Sequence, residues 1–438
     1  MTENKLNRAE KDNVINNRKN ILFVHYGEKW IRGSERCLLD LLTYLESRSY
    51  RPVLWCNSEV LKKEAEELNI PTICQPFPLL FAEQPPRFDC IGFYQLVRQG
   101  IALVKQYNID LIHANSGAPC QWLNWVARAC HLPLVAHLHS RYPLWQRWVL
   151  GLHQVDHVIG VSKPVIEQLR WDGMAESKLS VIANGVDIQN LSQQPVVDLR
   201  QKLNLHPGTF LIAAVGSLIF RKGFDIAIEA CAALEKLGVD LHLVIIGEGE
   251  ERANLEQQLS ELKLEHRVTL LREQPDVVGH MKGGCDLLLS TAREEVFGLV
   301  LLEAALAGVA IAAPRVGGIP EVIVDRQTGL LHQPGNVDEL VIHLKALMLA
   351  PELRMQLAAA SYERLQAQFS IQANVFKVTA QYEQLITEYS NQTLINNDIK
   401  SRGTSWFNLF RSIAHSGIWQ KYWPKRSSVV QAGVSDEN

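Results

Sequence analysis

The stretch that decides how this chain is read is residues 294–321, E-E-V-F-G-L-V-L-L-E-A-A-L-A-G-V-A-I-A-A-P-R-V-G-G-I-P-E. A strand-like run at 285–290 leads into a loop ending at Phe297-Gly298, an apolar helical run follows to Gly308, and 309–313 reads as the next strand. The unit is strand, helix, strand. Glu303 is the only charged residue in the helical run. A carboxylate among leucines and alanines is costly to desolvate unless something hydrogen-bonds to it, and a ligand hydroxyl would do so. Glu295 sits at the mouth of the same helix, roughly two turns earlier, where free N–H groups attract phosphate. Singly, the two glutamates read as solvated surface charges. The turn Gly317-Gly318-Ile319-Pro320-Glu321, suited to close backbone approach, makes them a set.

The same alternation extends outward. Apolar runs at 211–215, 241–246 and 268–271 join 285–290 and 309–313 as strands separated by helical stretches. Upstream of a polar connection at 188–208, further runs lie at 21–27, 52–56, 110–114, 134–138, 157–161 and 179–182. Strands alternating with helices predict parallel sheets covered on both faces. The fold class is therefore α/β, with two tandem Rossmann-like domains, 20–187 and 209–365, facing each other across a cleft. Residues 366–392 read as a final helix, 1–19 as a disordered lead and 393–438 as a basic, aromatic tail.

A length of 438 residues suits two domains, and 47% hydrophobic with 21% charged residues is the composition of a soluble globular protein. A net charge of −3 gives no argument for nucleic acid, so any anion site is local. The polar lead lacks the apolar core of a secretory signal. Eight cysteines without a C-x-x-C pair read as reduced core thiols of a cytoplasmic protein, with neither zinc nor disulfides. The nearly apolar run 297–314 is interrupted by Glu303 and Gly308, which argues for a buried helix and strand over a membrane span.

Three other motifs carry chemistry. Arg221-Lys222-Gly223 follows the first strand of the second domain, and two cations at a helix start form a diphosphate clamp. The simpler alternative is a solvated pair. Arg32-Gly33-Ser34-Glu35 follows the first strand of the chain, where Gly33 would let N–H groups approach a phosphate; a helix cap led by Ser34 explains it as well. His137 and His139 share one face of a strand end. No third ligand is recognisable near them, so no metal is expected. Gly247-Glu248-Gly249 fails as a dinucleotide fingerprint because Arg252 replaces the third glycine.

Together these residues resemble the retaining GT-B glycosyltransferases of family 4, whose signature is E-G-F-G-x-x-x-x-E followed by Gly-Gly-x-x-E. Val296 stands where that family has glycine, and Ser217 where many members have arginine. The resemblance covers nearly all of 20–390 and implies a nucleotide-sugar donor, a saccharide or lipid-linked acceptor, and no cofactor or metal. It implies that Lys222 and Arg221 hold the diphosphate and Glu303 the ribose. Glu295, Phe297 and Gly298 would orient the sugar, His139 would touch it from the other domain, and Gly33 would face the donor phosphate. It also implies that the final helix crosses back to the first domain. Rival readings are a nucleotide-sugar epimerase or glycogen-type synthase on the same fold, and a non-catalytic, membrane-associated nucleotide-sugar binder.

Trp122, Trp125, Trp145 and Trp148 read mainly as packing residues, with an acceptor site or a membrane contact as the alternative. Segment 401–428 has no acidic residue and interleaves Arg402, Arg411, Lys421, Lys425 and Arg426 with aromatics. That pattern suits an anionic membrane surface, hence a peripheral position on the inner face of a membrane.

Overall fold

The computed structural model describes residues 18–28, 30–45, 49–81 and 88–399. The expectations for the lead up to residue 17 and for segment 401–428 fall outside them.

The first domain is a seven-stranded sheet. Its strands are β1 (Lys19–His25), β2 (Tyr50–Cys56), β3 (Thr72–Cys74), β4 (Leu111–Ala114), β5 (Leu134–Leu138), β6 (His157–Gly160) and β7 (Leu179–Val181). Their spatial order is β3-β2-β1-β4-β5-β6-β7, every pairing parallel. The second domain repeats the plan with β8 (Phe210–Val215), β9 (Leu241–Ile246), β10 (Val268–Leu271), β11 (Leu287–Leu289), β12 (Ala310–Pro314) and β13 (Leu330–His332). These run β10-β9-β8-β11-β12-β13, again all parallel. In each sheet the order reverses beside the first strand, between β1 and β4 and between β8 and β11, which opens a crevice at the C-terminal strand edge. Strands buried on both faces read as continuous apolar runs, which is why most were visible in the sequence. The short strands β3 and β13, three residues each, were not.

The chain passes between domains twice, at neighbouring places. The connection at 188–208 holds two short helices, Ile188–Ser192 and Leu199–Lys202. The return lies between helices Pro351–Gln368 and Ile371–Ile399, so the helix expected over 366–392 is broken at Phe369-Ser370. There Val186 donates to the Phe369 carbonyl and Ile371 donates to the Val186 carbonyl, each at 2.9 Å. A Cβ on Gly185 would come within 2.7 Å of Ile371 Cα, so only glycine lets the crossings touch. Beyond the break, Val375, Val378, Tyr382 and Leu385 are buried with Ile21, Phe23 and Ile159 of the first domain. The Tyr382 hydroxyl hydrogen-bonds His113 Nδ1 at 2.7 Å, both side chains being fully buried.

All eight cysteines are free. Among the described residues no helix is long and apolar enough to cross a membrane.

Removing the Tyr382 hydroxyl leaves the buried His113 Nδ1 unpaired. Tyr382→Phe is therefore expected to lower unfolding stability by about 1–3 kcal/mol, measured by urea denaturation; an unchanged midpoint would show that the bond contributes nothing.

Candidate active site

The C-terminal edges of the two sheets meet. Gly33, after β1, lies so close to the second domain that a Cβ there would sit 3.1 Å from Leu299 Cδ1. Ser162, after β6, donates its hydroxyl to the Val296 carbonyl at 2.6 Å, and the Lys163 amide donates to Glu321 Oε1 at 2.8 Å.

On the second domain's side, two loops are fastened together. The loop after β8 ends in a single tight turn, Phe220–Lys222, before helix Phe224–Lys236. Thr291 donates its hydroxyl to the Gly223 carbonyl at 2.7 Å, and the Arg293 amide donates to the Arg221 carbonyl at 2.8 Å. The Arg293 guanidinium takes both oxygens of Asp225, at 2.8 and 2.6 Å, while lying over the Phe220 ring. These contacts bring Lys222 Nζ to Glu295 Oε2 at 2.5 Å. Burial alone would raise the Glu295 carboxyl, but Lys222, and to a smaller extent Arg221, hold it below the usual range. It is therefore ionised at neutral pH. Lys222, Thr291, Glu295 and Gly298 line a pocket at the start of helix Leu299–Ala307.

Arg221 is placed differently from Lys222. Its Nη1 donates to the Glu294 carbonyl at 3.0 Å, which braces the loop. Phe297 is buried edge-on against Phe369, and Gly298 caps the helix with φ of 96°, so both shape the loop through packing and backbone. Val296 packs its side chain against the core, and its position has no left-handed backbone requirement. Ser217 is half-buried in the loop after β8.

The Gly317-Gly318 turn approaches backbone as expected, and what it approaches is the Glu295 loop. A Cβ on Gly317, whose φ is 51°, would lie 1.8 Å from the Glu295 carbonyl oxygen, and one on Gly318 would lie 2.1 Å from that of Val296. The Gly318 amide donates to the Glu295 carbonyl at 3.0 Å. Glu321, the last residue of the motif, reaches the opposite domain through Lys163.

Glu303 is half-buried and accepts no hydrogen bond from another described residue. Burial raises its carboxyl to about 7, against the opposing influence of Arg36 and Lys222. A carboxyl in this position would gain from donors supplied by a ligand.

The first domain contributes polar residues that end successive apolar strands. His25, Asn115, His139 and Ser162 follow or close β1, β4, β5 and β6, which are neighbours in the sheet. Asn115 Nδ2 donates to His25 Nδ1 at 3.1 Å, so the His25 proton lies on Nε2 and faces Glu35 Oε1 at 2.9 Å. Asn115 Oδ1 then accepts from His139 Nε2 at 3.2 Å. Burial, and secondly the neighbouring His137 ring, push His139 well below the usual imidazole range, so it is neutral. Burial would raise Glu35, but hydrogen bonding to His25 and further contacts bring it to about 2. Glu35 also accepts from the Arg32 amide and the Ser34 hydroxyl, at 3.1 and 3.0 Å. The residue that caps helix Gly33–Leu45 is therefore Glu35 reaching back, with Ser34 feeding it. His137 and His113 are buried behind His139. Among the described residues no cluster of three or more His, Cys, Asp or Glu is placed to hold a metal ion.

Two sequence profiles match this architecture, Glycosyltransferase Family 4 over residues 31–190 and Glycosyl transferases group 1 over 197–364. The chain belongs to glycosyltransferase family 4. This glycosyltransferase is 26% identical to N-acetyl-alpha-D-glucosaminyl L-malate synthase of Bacillus anthracis over 292 residues, 64% of this chain and 75% of that enzyme. It is 27% identical over 318 residues to glycogen synthase of Mycobacterium tuberculosis, 66% of this chain and 73% of that enzyme. The crystal structure of Anabaena HepE in complex with UDP superposes with a TM-score of 0.72 at 25% identity, covering 84% of this chain and all of that one. The protein is a nucleotide-sugar-dependent hexosyltransferase of the GT-B fold.

Asn115, His25 and Ser162 were not singled out from the sequence. Each is one polar residue at the end of an apolar strand, a signal that gains meaning only once strand order makes them neighbours. Gly317→Ala tests the clamp on the Glu295 loop. With no space for a methyl group and a strained φ, it is expected to cost about 1–3 kcal/mol and to lower glycosyl transfer at least tenfold, read by thermal melt and by turnover; wild-type turnover would show that the loop does not depend on the turn.

Proposed function

We propose that this enzyme transfers a hexose from a UDP-linked donor to a saccharide or lipid-linked acceptor, with retention of anomeric configuration. The observation that carries this reading is the Lys222–Glu295 pair at the start of helix Leu299–Ala307. Likeness to Anabaena HepE, solved with UDP and with UDP-glucose, supports the choice of nucleotide.

In this reading the donor diphosphate takes Lys222 from Glu295. The ammonium and the first amides of the helix then stabilise charge on the departing phosphate. Glu295, released from its partner and still ionised, accepts hydroxyl groups of the sugar. His139 presents a neutral imidazole from the other wall, and Glu303 accepts the ribose hydroxyls. The anomeric carbon–oxygen bond to the phosphate breaks as the acceptor oxygen bonds to that carbon on the same face. The acceptor proton passes to the leaving phosphate oxygen, so no protein base is required. Polysaccharide or glycolipid assembly is the setting that suits such a product.

A thermal-shift titration with UDP, GDP and ADP tests the donor class, because a ligand that binds only the folded state raises the midpoint. UDP is expected to stabilise the wild type, and Lys222→Ala to bind it about tenfold to a hundredfold more weakly, the worth of a charge-assisted hydrogen bond. Stabilisation by another diphosphate would refute the choice of base, and unchanged affinity in Lys222→Ala would refute the clamp.

Glu303 makes donor binding depend on pH. Ribose hydroxyls donate to the ionised carboxylate, and with its carboxyl raised to about 7 the free protein loses that form as pH falls. At one pH unit below, about a tenth of the molecules are competent and the apparent Kd of UDP-glucose rises about tenfold. The protein itself is not weakened by this group, since a raised carboxyl adds stability at low pH that is lost as pH rises through 7. Calorimetry from pH 8 to 6 should show the weakening in the wild type and a flat profile in Glu303→Gln; parallel profiles would remove Glu303 from the ribose site.

A further inference from the structure

The free cysteines include one pair that the first sheet sets face to face. Cys56 ends β2 and Cys74 ends β3, and the parallel register places them directly opposite each other. Their thiols are in hydrogen-bond contact. No C-x-x-C spacing marks the pair in the sequence, and only the pairing of β2 with β3 brings it together.

The geometry suits a covalent bond. Neighbouring strands lie about 4.8 Å apart, inside the roughly 4.4–6.8 Å that the Cα atoms of a disulfide span. Both side chains lie on the sheet face that carries Ile21, Phe23 and Leu54, so neither strand has to rotate. Cys56 is fully buried, whereas Cys74 is only partly buried and belongs to the edge strand, where a small oxidant can reach it. Glu59 and Lys62, paired with each other at 3.4 Å, are the charged groups beside the two sulfurs. Burial, and for Cys74 the neighbouring Cys56 sulfur, raises both thiols, Cys74 to about 12. The reduced pair is therefore protonated at neutral pH and exchanges slowly.

The residue after Cys56 connects the pair to the cleft. Asn57 grips Gly27 at both backbone atoms, its Oδ1 accepting from the amide at 2.9 Å and its Nδ2 donating to the carbonyl at 3.0 Å. Gly27 follows β1 so closely packed that a Cβ there would lie 2.5 Å from His25 Nε2 and 2.9 Å from Glu35 Oε1. His25 and Glu35 begin the hydrogen-bond chain that reaches His139 through Asn115. Cys56 also donates its thiol to the Ser58 carbonyl at 3.5 Å, and Ser58 caps helix Glu59–Glu67. A disulfide removes that donor. Its Cβ atoms stand about 3.8 Å apart, closer than the strand spacing, so bond closure draws the ends of β2 and β3 together next to Asn57.

We propose that Cys56 and Cys74 form a reversible disulfide that loosens the Gly27 loop and slows sugar transfer, a redox switch built into the first wall of the cleft. The oxidant is a low-molecular-weight disulfide. The Cys74 thiolate attacks it, which forms a mixed disulfide and releases one small thiol. The Cys56 thiolate then attacks the Cys74 sulfur, the protein disulfide forms and the second small thiol leaves. The two cysteines lose two electrons to the small disulfide, and their two protons end on the two small thiols. A dithiol reductant reverses both steps. The effect on turnover rests on the role given to His139 in the proposed donor site, whereas the bond and its effect on the loop do not.

The full chain and Cys74→Ser are held overnight in mildly alkaline buffer with oxidised glutathione, alkylated, and mapped by mass spectrometry without reduction. Hydrogen–deuterium exchange at Gly27, UDP-glucose turnover and the thermal shift with UDP are read on the same samples. The wild type is expected to yield a peptide cross-linked between Cys56 and Cys74 and to exchange about tenfold faster at Gly27, the loss of about one hydrogen bond. Its turnover is expected to fall about tenfold through misplacement of the first wall, with UDP affinity unchanged because Lys222 lies on the other domain. Dithiothreitol restores both, and Cys74→Ser, which keeps a hydroxyl donor in place of the thiol, does not respond to the oxidant. Absence of the cross-linked peptide, unchanged exchange or unchanged turnover once it has formed, or an equal loss in Cys74→Ser would each overturn the proposal. If the reduced protein has no turnover with UDP-glucose, the donor reading fails, and the cross-link and the exchange at Gly27 still decide this one.

Discussion

Lys222 holds Glu295 ionised in a partly buried site, and much of the local architecture exists to make that contact. Two charges withdrawn from water are tolerated only when their geometry is enforced. The enforcement comes from the Thr291–Gly223 and Arg293–Asp225 contacts on one flank and from the Gly317-Gly318 turn on the other. Both partners lie on loops that leave strands at the C-terminal edge of the second sheet, and β8 and β11 are adjacent there. Parallel pairing thus delivers two residues 73 positions apart to one point.

The opposite wall follows a related logic with neutral groups. A row of polar side chains ends neighbouring strands of the first sheet, and a chain of hydrogen bonds from Glu35 through His25 and Asn115 orients the His139 ring, which burial keeps neutral. One wall therefore offers full charges and the other an oriented, uncharged imidazole. The two are joined by the Ser162 hydroxyl on the Val296 carbonyl and by Glu321 on the first turn of helix Lys163–Trp171. The Glu295 loop therefore touches both domains, and the two chain crossings pair with each other at Val186 and Ser370.

Much of the fold was legible because its strands are buried on both faces and so run apolar without interruption, as at 211–215 and 241–246. The break at Phe369-Ser370 was not legible, because it is caused by pairing with Val186, nearly two hundred residues away in sequence. In the site, Glu303 was conspicuous as a single charge in an apolar helix, and the structure leaves it without a protein donor among the described residues. The roles of Arg221 and Lys222 could not be separated by inspection. Which of two adjacent cations turns inward depends on the tight turn at Phe220–Lys222 and on the Glu294 carbonyl that captures the other.

The sequence by itself determined the α/β class, the two-domain division and the family, since periodicity, glycine placement and motif spacing are local properties that survive without a partner. Tertiary structure alone decided which polar residues share the cleft and which tryptophans face water. Trp122 and Trp125 lie three positions apart on one helix, yet the first is fully buried and the second exposed. Asn115 acquires its place between His25 and His139 only because β4 lies between β1 and β5. Strand order is set by non-local pairing and by burial of the whole sheet, and no short stretch of sequence records it.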